Sequence, residues 1–429
     1  MAARDMPATD TTVPAGFGRR VLRSIAGRIR GLRALPALSP GALVEAWREQ
    51  RGGHPVDEAH DAHLHAAVDW LARAQDATPD GGFARGYALL WNPYFGRRGW
   101  LPSYPETTGY IIPTLFEAAG ALGRAELRER AERAARWELA IQLPSGAVRG
   151  GVMGEAESPA VFNTGQVLFG WLAALEQTGD AVFADAAARA GRWLVSVLDA
   201  DGHWRRGGSR FARAGVALYN ARTAWALAEA GSRLAEPTFT AAAARNLRAV
   251  LAAQLANGWL PDCCLSDVTR PLLHTLAYAI RGLLEGGRVL GDEALLRGAG
   301  DAAGRLAHAV RADGWMAGRF DADWRPAATW SCLTGQAQMA NNWIRLHDLT
   351  GEPRWLEPVP RVLRFLKTTQ NRTSGDGGLR GGIKGSAPLG GGYNRYEVLN
   401  WATKYFADAL LRDDRVRGRR AASPAHVLA

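Results

Sequence analysis

The chain is poor in cysteine, with three in 429 residues, two of them adjacent (Cys263, Cys264). Three thiols build no disulfide framework, which excludes the small stapled scaffolds and leads us to expect a reducing, cytoplasmic setting. Long apolar runs are missing too: Arg, Glu or Asp interrupts every alanine-rich stretch short of the ~18 residues of a membrane span. The segment after Arg19-Arg20 carries Arg28, Arg30 and Arg33 where an export signal would be apolar, so no cleaved leader is expected. The body has no helix of clustered Lys and Arg and no nucleic-acid motif, and nucleic acid is not an expected partner.

Hydrophobic residues make up 47% and charged residues 22%, the balance of a folded globular chain. The net charge of +10 is concentrated at the ends. Residues 1–35 hold seven arginines against Asp5 and Asp10, and residues 412–429 hold five against Asp413 and Asp414. We therefore divide the chain into a basic tail with a lead-in helix (1–59), one domain (60–412) and a basic C-terminal tail (413–429). An Arg-rich amphipathic stretch at 17–35 would suit a peripheral contact with acidic lipid. Sixteen tryptophans is a high number and calls for a packing or ligand-binding role.

A repeat determines the fold. The turn glycines Gly146, Gly202, Gly258 and Gly314 are spaced 56 residues apart, with related turns at Asp80-Gly81 and Asp376-Gly377. A helical apolar pattern precedes each turn, as in Trp70–Gln75 and Trp137–Gln142. A second such pattern follows, ending near Gly120, Gly179, Gly231, Gly287 or Gly351, where a left-handed cap is expected. Six helical hairpins cannot bury their apolar faces singly and must stack. The economical closed form is all-α: an α/α toroid, with the loops after the turns on one rim. Tryptophans recurring on both helices of the hairpins are read mainly as core.

The pattern Trp-x-x-x-x-Gln, turn glycine, aromatic resembles the repeat of the six-hairpin carbohydrate-active enzymes, and equally that of the terpenoid cyclases and protein prenyltransferases. Ser103–Thr114, Gly381–Ser386 and Asn400–Lys404 resemble segments of toroid proteins associated with bacterial polysaccharide biosynthesis. The first resemblance implies hydrolysis, elimination or epimerisation of a sugar. The second would imply either an Asp-x-Asp-Asp motif, for which Asp321-Ala-Asp323-Trp324 is incomplete, or a zinc site, for which Asp262, Cys263 and His274 crowd into one hairpin. Two small buried thiols are the simpler reading of Cys263 and Cys264. No metal and no cofactor is expected. A non-catalytic glycan-binding toroid is the third alternative.

Seventeen residues after the turn glycines stand Asn163, Tyr219, Thr275, Ser331 and Asn394, and three further on stand Gln166, Arg222, Tyr278, Thr334 and Glu397. If the second helices form the inner ring, these groups converge on one rim, and a buried polar ring without a ligand is costly. Helix capping is the competing explanation for the Thr, Ser and Asn residues. Inner-helix N-termini with nearby arginines favour an acidic sugar. Candidate catalytic residues are Glu106, His274, Tyr219 and Glu397: paired carboxylates for hydrolysis, or His274 as base with Tyr219 as acid for elimination or epimerisation. Candidate substrate-binding residues are Tyr104, Asn163, Gln166, Asn220, Arg222, Trp330, Arg395, Tyr396 and Lys404. The insertion at 91–100 is a candidate lid.

Overall fold

The computed structural model describes residues 39–208 and 214–420. The expected lipid-contacting stretch, 17–35, lies outside these residues. The lead-in helix is α1 (Pro40–Gln50), capped by Ser39. The outer helices are α2 (Asp61–Asp76), α4 (Ala125–Ala140), α6 (Ala181–Ser196), α8 (Pro237–Ala253), α10 (Glu293–His308) and α12 (Val359–Thr369). The inner helices are α3 (Pro105–Leu122), α5 (Val161–Thr178), α7 (Ala221–Arg233), α9 (Leu273–Leu290), α11 (Leu333–Thr350) and α13 (Asn400–Val416).

Inner helices pack in the order α3–α5–α7–α9–α11–α13 and back to α3, so the ring closes as an α/α toroid. Burial follows the layering. An outer helix such as α6 buries one stripe (Phe183, Ala186, Ala187, Ala190, Leu194), whereas α5 is buried continuously from Val161 to Ala174.

The turn glycines show what the repeat is for. Gly81, Gly146, Gly202, Gly258 and Gly314 all have positive φ, and a Cβ on Gly146, Gly202 or Gly314 would fall within 2.7 Å of a carbonyl on the next outer helix. The repeat's glutamines tie the same joints. Gln75 donates to Gly81 O and Arg130 O, Gln142 to Gly146 O and Ala186 O, and Gln254 to Gly258 O and Gly298 O. In the sixth unit Gln370 donates to Gly381 O and to His63 O of α2, which joins the last hairpin to the first. The sixth turn glycine is therefore Gly381 (φ 93°), packed on Ala66, and not Gly377. The last turn is longer than the others.

Two of the expected helix-ending glycines, Gly179 and Gly351, are left-handed caps, and two others shift to Gly123 and Gly291. Gly120, Gly231 and Gly287 remain inside their helices, where Gly287 lets α9 approach Leu296. Trp70, Trp171, Trp225 and Trp343 are fully buried, as a core role requires.

Four of the six described strands form a sheet at the seam between the first and last units, and the other two join the fifth unit to the sixth. β1 (Gly86–Asn92) and β2 (Arg97–Trp100) form the insertion's hairpin, and β3 (Ser331–Cys332) pairs β5 (Ser386–Ala387). β1 also pairs β6 (Glu397–Leu399), which pairs β4 (Ile383–Lys384), giving an antiparallel order β2-β1-β6-β4. α13 runs past 412, with Asp413 and Asp414 buried and bonded to Arg417, Arg419 and Arg420. Among the described residues, no helix is long and apolar enough to cross a membrane.

Candidate active site

Each outer helix returns through a rim loop to the N-terminus of an inner helix, so six inner N-termini meet around one mouth. None of these helices has a side-chain cap. Thr108 and Thr164, for which capping was the competing explanation, act as loop anchors instead, and Thr403 does the same in the last unit. Phe83 N–H donates to Thr108 Oγ1 (3.0 Å), Val148 N–H to Thr164 Oγ1 (2.9 Å) and Ile383 N–H to Thr403 Oγ1 (2.9 Å). Each pins the rim strand of its own hairpin against the helix it leads into.

Inside the mouth lies a cavity of about 300 Å³, at the lower end of the range for small-molecule sites. Its walls come from the second residue of an inner helix and from the residue four later. Glu106 and Tyr110 lie on α3, His274 and Tyr278 on α9, with Phe162 on α5 and Trp401 on α13. Arg85, Tyr104, Tyr219, Arg319, Tyr393 and Asn394 complete the wall from the rim loops. The floor is closed by the next layer, where Arg222 Nε donates to Gln166 Oε1 (2.7 Å) and the guanidinium lies over the rings of Phe169, Trp225, Tyr278 and Tyr405. A larger groove of about 710 Å³ runs beneath α1, but it is an open surface feature with none of the inner-helix N-termini.

Two proton-active groups face this cavity. Burial raises the Glu106 carboxyl to about 7, against the opposing pull of the Tyr104 hydroxyl (2.6 Å from Oε2), Arg85 and Arg222. Burial lowers His274 to about 4, helped by Arg222 and resisted by its bond to Gln338. His274 Nδ1 lies 3.0 Å from Gln338 Oε1, so Nδ1 carries the proton toward that oxygen and Nε2 keeps its lone pair. The ring is held between Tyr278 and Tyr393 at 4.5 and 5.4 Å. In a ring of six, α3 and α9 stand three places apart, so Glu106 and His274 approach the cavity from opposite sides at equal depth.

Of the residues singled out in the sequence, Glu106, His274, Tyr219, Tyr104, Thr275, Tyr278 and Asn394 line this cavity. Gln166, Arg222 and Lys404 lie beneath it. Lys404 is fully buried, 2.6 Å from Asp408 and over the rings of Tyr110 and Tyr405. Asn163 donates to Arg149 O (3.1 Å) within its own hairpin, and Asn220 closes the 3-10 turn leading into α7. Glu397 is on β6, outside the cavity wall, where Arg85 (2.6 Å) and Asn92 (2.5 Å) hold its two oxygens. Trp330 packs on Gly318 and Gly392, Arg395 donates to Gly390 O (3.0 Å), and Tyr396 faces the groove under α1. Among the described residues Glu106 is the only carboxylate lining the cavity.

Sequence reasoning passed over Arg85, Tyr110 and Trp401. Tyr110 and Trp401 carry a signal in hindsight, since both fall on the two-and-six register of their helices. Arg85 stands in a loop ahead of β1 and carries none. As for the cysteines, Cys263 donates to Thr275 O (3.2 Å), the bond of a packed thiol.

No protein-family model matches the chain, and neither does any curated protein. Solved structures do resemble it. An unsaturated glucuronyl hydrolase specific for heparin shares 17% identity over 84% of this chain and 99% of that one, with a TM-score of 0.66. The unsaturated glucuronyl hydrolase of Bacillus sp. GL1 shares 16% over 83% and 97%, with a TM-score of 0.64. The cellobiose 2-epimerase of Bacillus thermoamylovorans shares 12% over 83% and 98%, with a TM-score of 0.66. At these identities the likeness shows the α/α toroid fold.

Proposed function

We propose that the chain is a carbohydrate-active enzyme that epimerises the acidic end sugar of an oligosaccharide at the carbon beside its carboxylate, with Glu106 and His274 as the acid–base pair. The observation that carries this reading is the placement of these two groups on opposite walls of a cavity with a closed floor. One is tuned to about 7 and the other to about 4. Between those values Glu106 holds a proton and His274 Nε2 lacks one. Nε2 removes the proton from one face of the carbon, and Glu106 delivers its own to the other face. The reverse reaction exchanges the roles.

A closed floor admits a chain end and not a threaded polysaccharide. Tyr104, Tyr219, Tyr278, Tyr393 and Trp401 offer ring faces to the sugar. Arg319 supplies positive charge at the wall for the carboxylate and for the enediolate formed when the proton leaves, beside Arg85, whose charge is shared with Glu397. Similar folds act on glucuronyl and cellobiosyl substrates according to their names, and an oligosaccharide partner is consistent with both. Hydrolysis by two carboxylates has less support, because Glu397 is tied by Arg85 and Asn92 outside the wall.

The test is ¹H NMR of the enzyme with uronate-ended and neutral oligosaccharides in D₂O. Epimerisation requires deuterium at the carbon beside the carboxylate and a second set of ring signals from the acidic substrate. Release of two shorter sugars without exchange at that carbon would replace the proposal with hydrolysis.

A further inference from the structure

Below the cavity floor the barrel axis is filled with buried charge, and the charge does not balance. Glu285, fully buried, is shared by Arg281 (3.1 Å), Arg345 (2.7 Å) and Arg288 (2.7 Å). Arg288 is also bonded to Glu229, which Arg233 shares as well. Lys404 has Asp408. Arg222, 2% exposed, has no carboxylate within 4.0 Å among the described residues, and its Nη2 has no hydrogen-bond partner.

Arg222 and Arg281 both line a small void of about 10 Å³, together with Tyr278, Gln338, Asn341 and Tyr405. Every lining side chain is at least nine-tenths buried. Nε of Arg281 is unpartnered too, although its Nη1 donates to Asn341 O at 3.4 Å. A guanidinium can only donate, so these N–H groups require an acceptor. Burying Arg222 without a matching anion, beside an Arg281 that shares Glu285 with two other arginines, costs several kcal/mol. The strain registers at Arg281, which burial and the neighbouring Arg412, Arg345 and Arg222 bring down to about 9 in spite of Glu285.

We propose that the void lined by Arg222 and Arg281 is a binding site for one small monovalent anion, a halide such as chloride. A space of this size is that of one water molecule, so a halide enters only with a shift of a few tenths of an ångström in the surrounding side chains, and carboxylates, sulfate and phosphate are excluded. A water molecule would satisfy the same donors, and also Asn341 Oδ1, but would leave the charge uncompensated. The site is separate from the sugar cavity: Tyr278 forms part of both, and Arg222 lies in the floor between them. An anion there offsets the positive field that Arg222 exerts on Glu106 and His274.

The experiment uses the wild-type chain, prepared free of halide. Melting temperature is followed against sodium chloride, sodium bromide and sodium gluconate at equal ionic strength, and crystals grown with bromide are measured at the bromine absorption edge. The site requires a saturable rise of a few degrees with chloride and bromide but not gluconate, and an anomalous peak in the void that Arg222 and Arg281 line. Arg281→Met should abolish the halide response. Equal responses to all three salts, or a non-anomalous water at that position, would overturn the proposal. The bromide data stand even if the variant fails to fold.

Discussion

Replacing Glu106 with glutamine separates the carboxylate's charge from its shape, with a stability consequence that follows from its burial and a catalytic one that follows from the proposed function. The carboxyl ionises near 4.5 in an unfolded chain and near 7 in the cavity, so the folded protein binds this proton more tightly. Stability is therefore complete below about 4.5, falls as pH rises toward 7, and is flat above it. The gap corresponds to up to about 3 kcal/mol. Glu106→Gln keeps the oxygen that accepts from Tyr104 and removes the titration. Its melting temperature relative to wild type should be constant below pH 4.5, climb between 4.5 and 7, and remain above wild type at pH 8. Calorimetric melts of both proteins from pH 4 to 8 measure the difference directly, because every other titrating group is common to the two. Turnover should fall ~10²- to 10⁴-fold, the usual loss for a general acid or base. A stability difference that does not vary with pH would refute the burial argument, and full turnover in the variant would refute the catalytic one.

The wild-type pH–rate profile on an acidic substrate should be bell-shaped, with limbs near 4 and near 7; a single limb near 6.5 would mean that His274 titrates as in water. Thr164→Val leaves the Val148 N–H without its acceptor and should cost about 1–3 kcal/mol, read as a drop in melting temperature. Gly282→Ala would put a Cβ 2.2 Å from Ala221 C and force α7 from α9, a loss of at least about 1–3 kcal/mol. Gly120→Ala, with open space around the new methyl, should be neutral or stabilising by up to about 1 kcal/mol. Equal effects of the two glycine changes would contradict the packing described for the inner ring.

The architecture was legible in the sequence because its joints are backbone requirements. A turn glycine facing the next outer helix and a glutamine bridging two carbonyls tolerate few substitutes, so they recur at fixed spacing. The site was legible only in part. Counting from the turn works where the rim loop is short, and it brought out Tyr219, Thr275 and Tyr278. It holds only in part in the sixth unit, where the loop between Gly381 and α13 carries three strands: the count reached Asn394 in the wall, but Glu397 on β6 in place of Trp401 on α13. Arg222 and Lys404 have the right helical face but lie a turn deeper, which periodicity alone does not distinguish. Arg85 and Tyr393 come from loops with no repeat to mark them.

The central claim is that an acidic sugar end sits between Glu106 and His274. A crystal structure of the Glu106→Gln variant, soaked with a uronate-ended oligosaccharide, tests it most directly. The account predicts the terminal ring within the cavity, its carboxylate toward Arg85 or Arg319, and the carbon beside that carboxylate between position 106 and His274 Nε2. A sugar bound instead in the groove beneath α1, or a ring in the cavity with that carbon turned away from both side chains, would contradict it.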